Sequence, residues 1–168
     1  MEKKMRSLES FPYKGKGNSL NAWQSRKSPL RVVFNFMIIQ SCKYIPFLGM
    51  KSWLLRRTGM NVGKNVSIGL SAMFDIFFPE LIEIGDNTII GYGSTILCHE
   101  FLVREFRKGN VKIGSDCMIG ALSLVMPGVS VGSNATVAAY SLVNRDVPDN
   151  GFVGGVPARP IGGRNESG

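Results

Sequence analysis

A branched aliphatic residue recurs at every sixth position through residues 113–148. The six hexads of this stretch open with Ile113, Ile119, Val125, Val131, Val137 and Val143, and Gly or Ala follows in four of them. The fifth position is always small or β-branched: Cys117, Ser123, Val129, Ala135, Ser141 and Val147. Such a repeat predicts a short strand and a turn per hexad, with the Gly adopting turn conformations closed to other residues. Since no hexad can bury its apolar face alone, three hexads per coil are expected to stack into a triangular prism of parallel β-strands.

The six-residue frame begins well before residue 113 and is broken twice on the way. Earlier hexads open with Val62, Ile68, Ile84, Ile90 and Ile96. The first break, residues 70–83, is rich in aromatic side chains, and the second, residues 100–111, is rich in charged ones. The charge predicts a loop that leaves the core, and loops on rigid scaffolds often carry function.

The N-terminal third lacks the repeat. Residues 1–27 are polar, basic and rich in Gly and Ser, which predicts a loosely ordered arm. A helix is expected to begin at Ser28 and Pro29, since Ser is a good N-cap and Pro suits the first helical position. It should run over residues 31–44, and a second helix should cover residues 50–57 and end at Gly59. The chain thus divides into an arm (1–27), a helical cap (28–59), a repeat domain (60–161) and a flexible tail (162–168).

Two roles are open for the helical cap. The first is to cover the apolar end of the repeat stack, as a solenoid requires, and we favour it. The second is contact with a lipid surface, because apolar and basic side chains are mixed over residues 51–57. These side chains are Lys51, Trp53, Leu54, Leu55, Arg56 and Arg57. One helix can serve both roles.

The 168 residues carry a net charge of +8, and much of the excess lies near the N-terminus. Basic arms bind nucleic acid or anionic membranes, but no nucleic-acid recognition motif accompanies this one, so we expect no nucleic-acid partner. Three cysteines without a CxxC spacing are typical of a reduced, cytoplasmic chain. We expect no secretory signal, and the apolar run at residues 32–39 is too short to span a bilayer. The predicted location is cytoplasmic, and peripheral contact at the inner membrane face is left open.

His99 is the only histidine in the chain, and it stands just before the charged break. Imidazole is the side chain best suited to take a proton from a hydroxyl near neutral pH. Cys98 is the alternative nucleophile, but adjacent residues of an extended chain point to opposite sides, which favours a packing role for it. Glu100 is a candidate to orient the imidazole; a solvated loop charge is the equally open alternative.

Five local motifs carry a resemblance to a known family. They are Ile96-Leu97-Cys98-His99-Glu100, Ile119-Gly120-Ala121, Met126-Pro127-Gly128-Val129, Asn144-Arg145-Asp146-Val147-Pro148 and Gly154-Gly155-Val156-Pro157-Ala158-Arg159. Over residues 62–161 the chain resembles the hexapeptide-repeat acyltransferases, and more narrowly their O-acetyltransferase branch, which includes maltose, galactoside and polysaccharide acetyltransferases. The resemblance implies an all-β fold, a left-handed parallel β-helix, with N-terminal helices and a protruding loop around residues 100–111.

The resemblance also implies a reaction. The family is typically trimeric, with acetyl-CoA bound in clefts between neighbouring prisms and no metal required. His99 occupies the family's catalytic position, where it would act as general base and let a sugar or glycan hydroxyl attack the thioester directly.

Site residues carry over by position. Ala121 and Ala139 match sites where the family's backbone contacts the pantetheine arm of CoA. Asn144 and Arg145 match a Thr-Lys pair, and Arg145 keeps the positive charge for the CoA phosphates. Arg159 matches a basic residue near the nucleotide end; ordinary surface charge is the alternative for both arginines.

Asp75 falls where the sugar enzymes place residues that contact the acceptor, so it is a candidate substrate-binding residue. The alternative is a carboxylate that caps its own loop.

Other functions on this type of prism are less well supported. The γ-class carbonic anhydrases need three histidines for zinc, and this chain has one, so we predict no metal site. An N-acyltransferase acting on an amino sugar and a non-catalytic β-helix scaffold both remain open. The basic arm and the apolar helices suggest the further hypothesis that the acceptor is a cell-surface glycan or a lipid-linked intermediate.

Overall fold

A computed structural model describes residues 6–162, and its repeat region consists of three parallel sheets. The first sheet contains β2 (Asn61–Val62), β5 (Ile82–Ile84), β10 (Val111–Ile113) and β13 (Ser130–Val131). The second contains β3 (Ser67–Ile68), β6 (Ile89–Ile90), β11 (Met118–Ile119), β14 (Thr136–Val137) and β16 (Phe152–Gly154), with β17 (Arg159–Pro160) added antiparallel. The third contains β4 (Met73–Phe74), β7 (Thr95–Ile96), β12 (Leu124–Val125) and β15 (Leu142–Val143).

The chain visits these three sheets in turn, so three strands make one coil and successive coils stack. In the second sheet, Ile68 pairs with Ile90, Ile90 with Ile119, and Ile119 with Val137. All four side chains are buried, whereas the residue before each of them lies on the outer face. The predicted stack of three hexads per coil is therefore confirmed. Each fully buried aliphatic side chain of this column contributes about 1.5–3 kcal/mol to folding.

The frame persists further than the sequence pattern suggested. Phe74 lies six residues after Ile68, and β4 pairs with β7 so that Phe74 lies beside Ile96. Our expectation of a break from residue 70 was wrong, because the third hexad opens with an aromatic rather than a branched aliphatic residue. The true interruption follows Phe74 and contains a short 3-10 helix, Pro79–Leu81.

The glycines in the second position of the hexads have a different role from the expected one. The left-handed φ angles at the corners belong mostly to Asn, Asp, Ser, Leu and Tyr residues, and Gly63 and Gly120 are not among the residues with positive φ. A Cβ on Gly63 would come within 2.7 Å of the Asp86 amide nitrogen, and one on Gly120 within 2.4 Å of the Ala139 nitrogen. These glycines are needed because successive coils approach too closely for any side chain.

Two helices cover the first coil. Helix α1 spans Pro29–Tyr44 and α2 spans Leu48–Arg57, close to the predicted bounds, although the Ser28 side chain makes no capping hydrogen bond. The first coil has no preceding coil to bond with, and side chains of α2 bond its carbonyl groups instead. Lys51 Nζ donates to the carbonyls of Ile68 and Gly69, at 2.9 and 3.1 Å. The Arg56 guanidinium donates to the carbonyls of Val62 and Gly63, at the preceding corner of the same coil.

The charged break is a hairpin. Strands β8 (His99–Leu102) and β9 (Glu105–Lys108) pair antiparallel, and a third strand, β1 (Glu9–Pro12), adds to the outer edge of β9. The predicted loose arm is therefore wrong for residues 9–12 and for the 3-10 helix Ser19–Ser25. The free edge of β9 supplies the backbone hydrogen-bond partners of β1. In addition, Phe11 of β1 packs on Phe106 of β9, with ring centroids 5.9 Å apart.

Two further observations concern the ends of the chain and the helices. The predicted flexible tail falls almost wholly on residues 163–168, which lie outside the described residues. Within residues 6–162, no helix has the length and apolar character needed to cross a bilayer.

Candidate active site

His99 and Asp75 form a hydrogen-bonded pair on the corner that follows the third sheet. Asp75 comes directly after β4, and His99 opens β8 three residues after β7. Because β4 pairs with β7, the two side chains meet although 24 residues separate them in the sequence. Nδ1 of His99 lies 2.5 Å from Oδ2 of Asp75.

The Asp75 carboxylate is almost completely buried and receives four hydrogen bonds. Oδ1 accepts from the backbone amides of Phe77 and Phe78, and Oδ2 accepts from the amide of Cys98 and from His99. Burial alone would raise the pKa of Asp75, but the bond and charge of His99 and the backbone amides outweigh it, so its pKa lies below the ordinary value. The carboxylate is therefore ionised at neutral pH.

The ionised carboxylate determines which ring nitrogen of His99 carries the proton. A carboxylate can only accept a hydrogen bond, so Nδ1 of His99 carries the proton and Nε2 carries the lone pair when the ring is neutral. No hydrogen bond among residues 6–162 engages Nε2. His99 thus has the orientation that a general base requires, and its Nε2 makes no hydrogen bond to the described residues.

Four phenylalanine rings surround the imidazole. Phe77 and Phe101 lie closest, with ring centroids 4.9 and 5.1 Å from that of His99. Phe78 and Phe106 follow at 5.7 and 6.2 Å. Two of the rings come from the segment after Asp75 and two from the hairpin. They exclude water from the pair, which strengthens its electrostatic interaction.

Cys98 takes no part in this chemistry. Its side chain is fully buried, and burial together with the neighbouring Asp75 carboxylate raises the pKa of its thiol. A thiol that stays protonated is a poor nucleophile, because the thiolate is the reactive form. The expected packing role of Cys98 agrees with this environment.

Glu100 and Asp75 differ from the roles predicted for them. The Glu100 carboxylate pairs with Arg6 at 2.6 Å and makes no hydrogen bond to His99, because it leaves the hairpin towards the N-terminal segment. Asp75 does not face an acceptor, since it is 1% exposed and all its bonds are internal. The predicted alternative, a carboxylate that caps its own loop, is correct in part, because Oδ1 accepts from the amides of Phe77 and Phe78. Asp75, not Glu100, orients the imidazole.

The candidate cofactor residues lie along the two edges of the third sheet. Ala121 and Ala139 precede β12 and β15 on successive coils, and the Ala121 carbonyl accepts from the Tyr140 amide. Asn144 follows β15 on the other edge, in the same register as Leu97, which follows β7. Two strand spacings separate Asn144 from Leu97, about 10 Å. His99 and Asn144 therefore share one corner of the stack.

Asn144 and Arg145 line a surface depression together with Ala158 and Pro160. The Oδ1 atom of Asn144 is buried there without a hydrogen-bond partner among the described residues. A buried acceptor of this kind normally has a partner, so the depression fits a ligand with an N–H donor. Arg159 lies exposed beside it on β17, where Nη1 donates to the Ala158 carbonyl.

Two features of the site escaped the sequence analysis. One is the role of Asp75, which the persistence of the frame to Phe74 would have signalled. The other is the set of four phenylalanine rings around His99. The sequence showed the aromatic cluster that contains Phe77 and Phe78, but not that Phe101 and Phe106 of the hairpin join it. Within residues 6–162, no group of three or more His, Cys, Asp or Glu side chains is arranged to hold a metal ion.

Comparisons with known proteins place this arrangement in a family. The profile described as bacterial transferase hexapeptide (six repeats) matches residues 110–145. The protein YvoF of Bacillus subtilis strain 168, which is named as an acetyltransferase, is 49% identical over 94% of this chain and 91% of its own length. The chain belongs to the hexapeptide-repeat acetyltransferases.

Other members of the hexapeptide-repeat acetyltransferases are more distant. The galactoside O-acetyltransferase of Escherichia coli K12 is 30% identical over 68% of this chain and 62% of its own length. Among solved structures, a galactoside acetyltransferase in complex with coenzyme A and a maltose O-acetyltransferase from Clostridium difficile 630 each give a TM-score of 0.65 at 21% identity. The alignments cover 82% of both chains for the first, and 90% of this chain and 94% of the other for the second. At this identity the likeness to the two structures establishes the fold.

Proposed function

We propose that this acetyltransferase transfers the acetyl group of acetyl-CoA directly to a hydroxyl of a sugar or glycan, with His99 as general base. The observation that carries the proposal is the His99–Asp75 pair, in which Nε2 is basic and free. The galactoside and maltose O-acetyltransferases named above support the choice of a sugar hydroxyl. The same relatives support a left-handed sense for the three-sided coil.

In the proposed reaction, Nε2 of His99 takes the proton of the acceptor hydroxyl as the oxygen attacks the thioester carbonyl. The resulting oxyanion collapses, the carbon–sulfur bond breaks, and the protonated imidazole returns its proton to the departing thiolate. Asp75 stabilises the imidazolium between these two steps and keeps the ring in place. Backbone amides of a neighbouring coil are the expected donors to the oxyanion.

The cofactor would lie along the edges of the third sheet. Asn144 has the buried acceptor suited to an amide of the pantetheine arm, and Arg145 and Arg159 supply positive charge for the phosphates. Ala121 and Ala139 lie on the opposite edge of the third sheet from His99, so the width of that sheet separates them from the imidazole. We therefore propose that a neighbouring copy brings that edge to the site, as in a homotrimer. The unpaired state of all three cysteines supports a cytoplasmic location.

The test is an assay of free CoA thiol with acetyl-CoA and a panel of sugars, glycans and amino sugars, followed by mass spectrometry of the products. His99→Ala is expected to lower kcat by about 10²- to 10⁴-fold with the KM for acetyl-CoA nearly unchanged. Cys98→Ala is the matched control, because its side chain is adjacent in sequence but buried, and it should retain activity.

Three outcomes would argue against the proposal. Near-normal turnover by His99→Ala would exclude it as the base. Acetylation of amino sugars alone would make the enzyme an N-acetyltransferase. Failure of the wild-type protein to bind acetyl-CoA would favour a non-catalytic scaffold.

A further inference from the structure

Helix α1 is apolar on two opposite faces. Its inner face, formed by Val32, Asn35, Ile39 and Cys42, is buried against the repeat domain. Its outer face carries a second stripe of large apolar side chains, which are between 44% and 83% exposed: Leu30, Val33, Phe34, Met37 and Tyr44. Their spacing of three, four and seven residues places them on one side of the helix. A helix on the surface of a soluble domain ordinarily turns a polar face outward, so this outer stripe needs an explanation.

The segment of sequence that contains the outer stripe carries charge of one sign. Residues 10–74 contain ten Lys and Arg residues and no Asp or Glu, whereas the rest of the chain contains ten basic and twelve acidic residues. The whole positive excess of the protein thus lies in the segment that contains α1 and α2. A second copy of this segment would meet like charge, and an anionic surface would meet opposite charge.

The basic residues of α2 divide between two tasks. Lys51 and Arg56 point to the first coil and bond its carbonyl groups, so they belong to the capping role. Arg57 is exposed and lies over the ring of the half-exposed Trp53, with 4.7 Å between the guanidinium carbon and the ring centroid. A tryptophan beside an arginine is typical of side chains at the boundary between lipid and water.

We propose that the outer stripe of α1, with Trp53 and Arg57 of α2, docks in the plane of an anionic phospholipid membrane. The apolar side chains enter the acyl boundary, and the basic segment is attracted to the headgroups. Capping and membrane contact use opposite faces of the same helices, so one does not exclude the other. The docking is independent of the acyl-transfer proposal, and it would bring the site to acceptors that lie at a membrane.

The test measures flotation of the full chain with vesicles of phosphatidylcholine alone and with vesicles containing one quarter phosphatidylglycerol. The expected result is binding to the anionic vesicles, weaker binding to the neutral ones, and a loss on raising the salt concentration, since screening shortens the range of the attraction. The double variant Val33→Glu/Met37→Glu should bind anionic vesicles at least tenfold more weakly. Its thermal unfolding should match that of the wild type, because both side chains point outward.

The matched control is Leu102→Glu/Val103→Glu, which makes the same change on exposed apolar residues at the tip of the hairpin. It should bind vesicles like the wild type. Absence of wild-type binding to anionic vesicles, or equal loss in both double variants, would overturn the proposal. A change in oligomeric mass of the α1 variant, measured by light scattering, would also overturn it and would assign the stripe to a contact between copies of this chain.

Discussion

The pairing of Asp75 with His99 is the residue-scale feature on which the proposed chemistry depends. All four hydrogen bonds to the Asp75 carboxylate come from donors, so only an ionised acid satisfies the arrangement. Asparagine has the same shape, but its NH₂ group would face at least one of these N–H donors and could not accept a hydrogen bond from it. The site therefore requires aspartate for its charge as well as for its size.

We predict that Asp75→Asn lowers kcat by about tenfold or more and lowers the free energy of unfolding by about 1–3 kcal/mol, because a buried donor loses its partner. Glu100→Gln should change kcat by less than about threefold, since Glu100 pairs with Arg6 and not with His99, and this ion pair between the hairpin and the N-terminal segment is worth about 1 kcal/mol at most. Steady-state kinetics and urea unfolding of the two variants provide the comparison. Equal kinetic effects of both substitutions would contradict the assignment.

The lowered pKa of Asp75 predicts how the stability of the fold changes with pH. A carboxyl group with a lowered pKa in the folded state stabilises the fold above its unfolded pKa of about 3.9, and the stabilisation is lost as pH falls through the folded value. The stability difference between wild type and Asp75→Asn should therefore narrow below about pH 4. Urea unfolding at a series of pH values measures it, and a constant difference would disagree with an ionised Asp75.

At the scale of elements, the hairpin β8–β9 is held from outside by the N-terminal segment. Strand β1 pairs with β9, the Ser7 amide donates to the Gly128 carbonyl at 2.9 Å, and Arg6 pairs with Glu100. Since β8 carries His99, this segment steadies one wall of the site. A strand of four residues next to a basic, Gly-rich stretch has too weak a pattern to be predicted locally.

Gly128 is the point where this segment crosses the repeat. Its φ is +77°, and a Cβ there would lie 2.3 Å from the Ser7 carbonyl oxygen. We predict that Gly128→Ala displaces the N-terminal segment, which limited proteolysis should detect as faster cleavage before residue 20. Gly155→Ala is the matched control, because its φ of +95° imposes similar backbone strain of about 1–2 kcal/mol, but its Cβ would meet only the Pro157 carbonyl oxygen, at an ordinary contact distance of 3.8 Å. Equal cleavage of both variants would exclude the steric cause.

At the scale of the whole molecule, the third sheet separates the two parts of the proposed site. His99 and Asn144 lie after its strands, and Ala121 and Ala139 lie before them. A single prism cannot fold one edge onto the other, because the stacked coils between them are rigid. This separation is the reason for proposing that two copies of the chain build each site.

We predict that inactive variants complement each other. His99→Ala and Ala139→Trp should each lower activity by about a hundredfold or more, the second by filling the cofactor path at an exposed position. Coexpression of the two variants should restore roughly a quarter of wild-type activity. Each cleft of a closed ring takes one edge from each of two neighbouring subunits, and with random mixing about a quarter of the clefts receive two intact edges. Light scattering should give three times the chain mass of 18.4 kDa. Activity assays that show no recovery in mixed trimers would place the whole site within one chain.

The sequence by itself determined the stack of three-stranded coils and the two helices, and it singled out His99 as the candidate base. The hexad frame is a local pattern in which each residue's burial follows from its position in the repeat, so it can be read without knowing any distant partner. The frame also located the hairpin as the place where the repeat stops.

Only the tertiary structure decided which residue orients the imidazole, where the N-terminal segment lies and which faces of the helices are used. Asp75 and His99 are 24 residues apart, and Arg6 and Glu100 are 94 apart. Such pairs depend on how coils stack and on which backbone edges remain free, and periodicity carries no information about either. For the same reason, Lys51 and Arg56 read as surface charges in the sequence but serve as donors to the open end of the coil.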